Sequence, residues 1–372
     1  MKYTRILTVT FISVVSLVIL ITVSSVSPAP VNRSFPIKDI SGDRLSIAPI
    51  KIENTIKVDT DKFEKVQLSA GKPEFTKTEY DQKMGANEQI LQHKSLYRKS
   101  AQAISVETKK GLFTLYFDQR FSYKSKDPIV SLAKEDHSSK KVSKNDSILP
   151  GIQSNDQVAA EKFTEIDGQL YYILMINNQS QSFVKAYEIN QQTLTLKKVL
   201  DEEINIGQAT DEYIMLGRIV SDQQGAYLIA HTDKVAKLVE LNMKQKKLIY
   251  KNLPAQLKAD QLDNNLYLNK GTLYAQINKG KLYIIDAKTA GLTGAKELAI
   301  TLPKTFSYIS VNNLTVKDQK VYVLYQGYED TQTGEPPLYL AVFSEKTGKN
   351  LYLGEMPSMA KNGVGEPYTF IQ

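Results

Sequence analysis

Residues Tyr213–Leu253 read YIMLGRIVS (Tyr213–Ser221), GAYLIAHTD (Gly225–Asp233), VAKLVELNM (Val235–Met243) and KKLIYKNL (Lys246–Leu253). All four runs are short and rich in branched and aromatic residues, and one to three residues separate them. Such spacing predicts four antiparallel strands joined by tight turns. A four-stranded meander recurring about every 45 residues is the pattern of a β-propeller blade.

The same phrase appears on both sides. Upstream it reads Ala159–Ile166, Gln169–Asn178, Ser182–Asn190 and Thr193–Leu200. Downstream it reads Asn264–Asn269, Thr272–Asn278, Lys281–Lys288 and Ala295–Ile300, then Tyr308–Val316, Lys320–Tyr328, Pro337–Ser344 and Asn350–Met356. Gly111–Gln119 reads as the second strand of a worn first copy. The polar, lysine-rich stretch Lys124–Asp146 after it is expected to be a mobile surface insertion. Closing a ring needs further strands. Lys51–Val58 and Phe63–Ser69, completed by the C-terminal Tyr368–Ile371, are the candidates. Glu79–Ala103 carries a loosely helical spacing at Ile90, Leu91, Leu96 and Tyr97. The expected fold is all-β: a propeller of about 5–7 four-stranded blades over residues 51–372, preceded by a transmembrane helix and a linker.

The N-terminus sets the expected compartment. Residues 1–5 form a short cytoplasmic tip containing Lys2 and Arg5, followed by the 21-residue uncharged run Ile6–Val26. At about 1.5 Å per residue that run spans a hydrocarbon core of about 30 Å. Positive charge before it keeps the N-terminus inside, so the rest of the chain is expected outside the cytoplasm. Small residues at Ser24, Ser25, Ser27 and Ala29 keep secretion after signal cleavage as the alternative. Residues 27–50 hold four prolines and read as a stalk.

Composition narrows the chemistry. The chain has 372 residues, no cysteine, no tryptophan and 21 tyrosines. Disulfides and cysteine nucleophiles are therefore excluded. Lysines and arginines number 47 against 40 acids and are dispersed, which argues against a nucleic-acid partner. The net charge of +7 suits an anionic membrane or wall polymer better. His93, His137 and His231 lie in unrelated contexts, and no metal, catalytic or phosphate-cradling motif is present.

Two turns carry a family resemblance: Tyr283-Ile-Ile-Asp286-Ala-Lys-Thr289-Ala-Gly291 and Ala341-Val-Phe-Ser344-Glu-Lys-Thr347-Gly348-Lys349. Both resemble the apolar-x-apolar-Asp-x-x-Thr-Gly turn of bacterial quinoprotein-like propellers. The resemblance implies the propeller fold, with the Asp capping its turn and the Gly taking positive φ. A tryptophan floor and a vicinal cysteine pair are both missing, so the family's quinone cofactor is not carried over and no cofactor is expected.

Blade register also sorts the charges. Loops joining strands two to three, and four to the next blade, share one face; the remaining turns share the other. The first face collects Asp201, Glu202, Glu203, Asp211, Glu212, Asp260, Asp263, Glu329, Asp330 and Glu335. The second collects Lys109, Lys110, Lys244, Lys246, Lys247, Lys270, Lys288, Lys317, Lys320, Lys346 and Lys349. One reading is a polar disc, with an acidic face for a cationic ligand or partner and a basic face for an anionic surface. The other is that turns simply collect charged residues for solubility. The expected function is a membrane-anchored binding or scaffold module for a protein or cell-envelope partner, accessory to a transporter or sensor. The alternative is a hydrolase or lyase using carboxylates such as Asp211 or Glu329.

Overall fold

The computed structural model describes residues 37–371 apart from 60–61, 70–71, 80–89, 91, 99–101, 118–127, 154–155, 179–180, 208–213, 278–279, 331–335 and 357–367. The compact unit begins at Ile37 and is a six-bladed propeller. Strand β1 (Lys38–Gly42) comes first. Blade 1 then takes β2 (Lys51–Asp59), β3 (Lys62–Ser69) and β4 (Lys72–Glu79); blade 2 takes β5 (Ile104–Thr108), β6 (Gly111–Phe117), β7 (Ile129–Asp136) and β8 (Val142–Ile148). Blade 3 holds β9 (Gln157–Ile166), β10 (Gln169–Asn178), β11 (Gln181–Ile189) and β12 (Leu196–Glu203). Blade 4 holds β13 (Met215–Leu216), β14 (Val220–Asp222), β15 (Gly225–His231), β16 (Ala236–Asn242) and β17 (Lys247–Asn252). Blade 5 holds β18 (Leu262–Asn269), β19 (Thr272–Ile277), β20 (Lys281–Asp286) and β21 (Leu292–Leu298); blade 6 holds β22 (Tyr308–Lys317), β23 (Lys320–Tyr328), β24 (Leu338–Ser344) and β25 (Asn350–Glu355). The C-terminal β26 (Thr369–Ile371) pairs with β2 and supplies the inner strand of blade 1.

Four expectations change. The stretch 124–146 is not an insertion over its described part, because β7 and most of β8 lie in it. β8 reads as polar because it is the outermost strand, wet on one side. Nor is 37–50 linker: β1 pairs with the outer edge of β25, and Ile37, Ile47 and Ile50 are buried beside it. Blade 1 gains an outer strand, β4, whose Pro73 an edge position tolerates. The predicted strand Tyr213–Ser221 is interrupted at Gly217–Ile219, leaving β13 and β14 as separate short ladders on β15. Of the helical expectation at 79–103, Ile90 and Gln92 are helical, and Ile90, Leu96 and Tyr97 bury themselves on Leu112 and Ala133 of blade 2. Among the described residues no helix is long and apolar enough to cross a membrane, and the run 6–26 lies outside them.

Apolar side chains alternating along strands two and three form clusters between successive blades. Tyrosine hydroxyls tie neighbouring elements together. Tyr250 Oη donates to Glu203 O across blades 4 and 3 at 3.2 Å, and Tyr267 Oη to Val311 O across blades 5 and 6 at 2.7 Å. Tyr274 Oη donates to Glu345 Oε1 at 2.9 Å, and Tyr322 Oη to Ser46 O at 3.2 Å. Tyr274 and Tyr322 bury the whole aromatic body, Tyr267 part of it, and in all four the polar tip finds a neighbour's acceptor.

One turn recurs in five blades. Asp136, Asn190, Asn242, Asp286 and Ser344 accept the N–H of Ser139, Thr193, Gln245, Thr289 and Thr347 at 3.0, 3.0, 2.8, 2.8 and 3.3 Å. The residue after each of those donors is left-handed: Lys140, Leu194, Lys246, Ala290 and Gly348, with φ between 54° and 69°. Thus Ala290, not Gly291, takes positive φ in the Tyr283–Gly291 turn. Glycine is required at Gly348, where a Cβ would lie 2.8 Å from Glu297 O. Lys246 is exposed and stores strain of about 1–2 kcal/mol for no packing gain. Lys246→Gly is expected to raise the unfolding free energy by about 0.5–1 kcal/mol, net of glycine's greater unfolded-state entropy. A denaturant midpoint equal to or below wild type would contradict this.

Candidate ligand site at the channel mouth

The inner strands β5, β9, β14, β18, β22 and β26 follow one another around the axis. All the long connections, including 80–103, 204–214, 299–307 and 356–368, leave from one face, which we term the long-loop face. Several inner strands are irregular near this face. β18 skips register between Leu262 and Leu266, β22 bulges between Val311 and Asn313, and the first strand of blade 4 is interrupted. Such breaks re-aim side chains out of the ladder and into the mouth.

On blade 6, Tyr308 and Tyr328 stand directly opposite each other on β22 and β23. Their rings lie 5.8 Å apart at 40°, and both remain over a third exposed. Tyr308 Oη donates to Asp263 Oδ2 of blade 5. Tyr328 Oη and Asn312 Nδ2 both donate to Gln326 Oε1, at 2.9 and 2.8 Å. Burial, helped by the Asp263 hydrogen bond, pushes the Tyr308 hydroxyl up to about 12, so it stays a donor at neutral pH. Beneath this group Gln276, fully buried, donates to Ile309 O and accepts from Val311 N, pinning the β22 bulge.

Between blades 3 and 4 the mouth opens into a cleft of about 240 Å³, lined by Ala159, Ala160 and Asn177 on one side and Met215, Gly217 and Arg218 on the other. Another cleft, about 250 Å³, lies on blade 2 beneath Leu96 and Ala103. It borders a small apolar cluster on one side and is lined on the other by Thr114, Ser131, Lys144 and Asp146.

The predicted charged residues scatter. Asp201, Glu202 and Glu203 sit on the outer strand β12, not in a loop, and Asp201 is paired with Lys185 and Lys198 at 3.4 and 2.6 Å. Asp211, Glu212 and Glu335 lie outside the described residues. Asp260 lies in the short 3-10 helix Ala259–Gln261, and Asp330 in an exposed turn. Glu329 is 3.8 Å from Lys304 on the rim. Asp263 is the predicted acid that joins the tyrosine group. Lys244, Lys246, Lys247, Lys288, Lys317, Lys320, Lys346 and Lys349 fall at the short turns of the opposite face, where Lys244 pairs with Asp167 at 2.7 Å. His93 bonds Glu135, His137 bonds Thr108 O, and His231 is buried; no three metal-ligating side chains come together among the described residues. Tyr308, Tyr328, Gln326 and Arg218 were not singled out from sequence, since each sits inside an ordinary strand pattern.

No family model matches the chain, and a search of curated proteins finds no relative. Solved structures do resemble it in fold. A Pseudomonas aeruginosa periplasmic gluconolactonase shares 12% identity over 82% of this chain and 81% of its own, with a TM-score of 0.43. A phage phi92 endosialidase shares 7% over 64% and 54%, with a TM-score of 0.39. An exo-β-1,3-galactanase from Phanerochaete chrysosporium shares 12% over 70% and 65%, with a TM-score of 0.35. No residue or activity is carried over from these likenesses.

Proposed function

We propose that this protein is a membrane-tethered, extracytoplasmic propeller that binds a saccharide of the cell envelope at the channel mouth. The observation that carries this reading is the exposed Tyr308–Tyr328 pair ringed by Asp263, Asn312 and Gln326. A sugar presents C–H faces that stack on aromatic rings and hydroxyls that need both donors and acceptors. Asp263 supplies acceptors, while the two amides supply both kinds. The tether reading rests on the uncharged run Ile6–Val26 behind Lys2 and Arg5. The chain enters the propeller at Ile37, and Lys38 pairs with Glu355 at the long-loop end of β25. The hydrolase alternative asks for two carboxylates at a set separation. Among the described residues, Asp263 is held by Tyr308 and Glu329 stands with Lys304 on the rim.

Binding of the full-length protein to an array of envelope saccharides tests this. Tyr308→Ala and Tyr328→Ala are each expected to weaken the retained saccharide at least about tenfold, or about 1.4 kcal/mol. Retention of no saccharide, or unchanged affinity in both variants, would refute the reading. Protease treatment of intact cells is expected to remove a C-terminal tag, and a protected tag would refute the outward orientation.

A further inference from the structure

We infer that the cleft between blades 3 and 4 is a second subsite, taking an anionic substituent of the ligand, carboxylate or phosphate, on Arg218 with Lys162 beneath it. This deepens the saccharide reading and rests on it for the rest of the ligand.

The cleft is built by the interruption in the inner strand of blade 4. After Leu216 the chain leaves the β15 ladder and rejoins it at Val220, with Gly217 N still bonded to Ile229 O at 2.8 Å. The intervening Arg218 is exposed at the cleft wall.

Lys162 is placed by register. Ser221 Oγ donates to Thr164 Oγ1 at 2.8 Å, which aligns β9 with β14 across the blade junction. Residues on β9 two apart share a face. Thr164, Lys162 and Ala160 therefore all look toward blade 4, with Ala160 already in the cleft wall. Across the sheet Lys162 pairs with Ile173, a fully buried member of the apolar cluster shared by blades 3 and 4. Burial pushes the Lys162 ammonium down from the usual lysine range.

Neither cation has a carboxylate partner among the described residues. Some lysines of the same two blades do: Lys185 and Lys198 hold Asp201, Lys244 holds Asp167, and Lys251 holds Glu240. For the half-buried Lys162 the missing counter-charge is unfavourable, and an oxyanion seated in the cleft would supply one. Arg218 offers the planar fork that matches carboxylate or phosphate, and Lys162 adds a point charge from below. Apart from Asn177 the remaining walls are apolar, which lowers the local dielectric and strengthens the attraction.

Calorimetric titration of the full-length protein with glucose, glucuronate and glucose 6-phosphate tests the subsite. At least one anionic sugar is expected to bind at least about tenfold tighter than glucose, with an advantage that shrinks as salt rises. Preference for glucuronate alone assigns a carboxylate, and preference for glucose 6-phosphate alone a phosphate. Arg218→Gln, at an exposed position, is expected to abolish the advantage, and Lys162→Met to reduce it without loss of fold. Equal binding of all three sugars, or an anion advantage that survives Arg218→Gln, would overturn the subsite. In that case loss of binding in Tyr308→Ala would leave the saccharide reading standing. Arg218-dependent anion binding that ignores Tyr308→Ala, with glucose inert, would instead sink the saccharide reading and keep the subsite. No binding of any probe up to about 10 mM overturns both.

Discussion

Removing residues 368–372 is expected to abolish cooperative folding. β26 lends blade 1 its inner strand from the far end of the chain, pairing Thr369, Phe370 and Ile371 with Glu53, Ile52 and Lys51. Without it the ring is open, and β2 presents an unpaired edge toward the channel. The loss is also apolar. Tyr368 is 4% exposed, and the Phe370 ring lies 6.5 Å from that of Tyr322 in an edge-on contact. Deleting a large core aromatic costs about 3–5 kcal/mol. The loss of Tyr368, with the half-buried Phe370 and the strand pairing added to it, approaches the whole stability of an ordinary domain, about 5–15 kcal/mol. The truncated chain should be protease-sensitive and lack a sharp thermal transition. Tyr368→Ala, which keeps the strand, should lower stability by about 3 kcal/mol. A truncated chain that melts sharply near the wild-type temperature would contradict the closure.

Gln276→Leu should be nearly as severe. The side chain is completely buried and bridges blades 5 and 6: Nε2 donates to Ile309 O at 2.8 Å, while Oε1 accepts from Val311 N at 3.0 Å and from Asn265 Nδ2 at 3.2 Å. Leucine fills the volume but strands a buried backbone carbonyl and a buried backbone N–H. Each orphan costs about 1–3 kcal/mol, so a loss of about 3–5 kcal/mol is expected by chemical denaturation. Gln276→Glu should not rescue it, because a carboxylate cannot donate to Ile309 O and would bury a charge. The bulge these bonds hold also carries Asn312 and begins three residues from Tyr308, so saccharide affinity should fall in parallel. A leucine variant within about 1 kcal/mol of wild type would show that the bulge holds itself.

Legibility followed strand position within each blade. Second strands such as Gly225–His231 and Lys320–Tyr328 are apolar on both faces, because blades press on them from each side. They stand out in any reading. The outermost β8 and the entering β1 are short and largely exposed, so VSKNDSI and KDISG look like loop. The turn beginning at Asp286 was visible through its threonine, whereas the same turn at Asp136 ends on Lys140, a residue with no left-handed preference to betray it. At the mouth, Asp263 was placed by loop register. Tyr308, Tyr328 and Arg218 were not, because a tyrosine in a strand ordinarily reads as core and an arginine as surface.

The Tyr213–Leu253 phrase and its copies determined the meander, the blade and the face on which each turn lies. These are local consequences of period-2 alternation and short connections, which a chain carries in every stretch. The number of blades, the joining of β26 to β2, and the meeting of Asp263 with Tyr308 depend on residues 45 to more than 300 positions apart. Their proximity arises only when wedge-shaped blade interfaces sum around a closed circle. The interruption at Gly217–Ile219 belongs with them, since it became apparent only against the neighbouring strands β9 and β15.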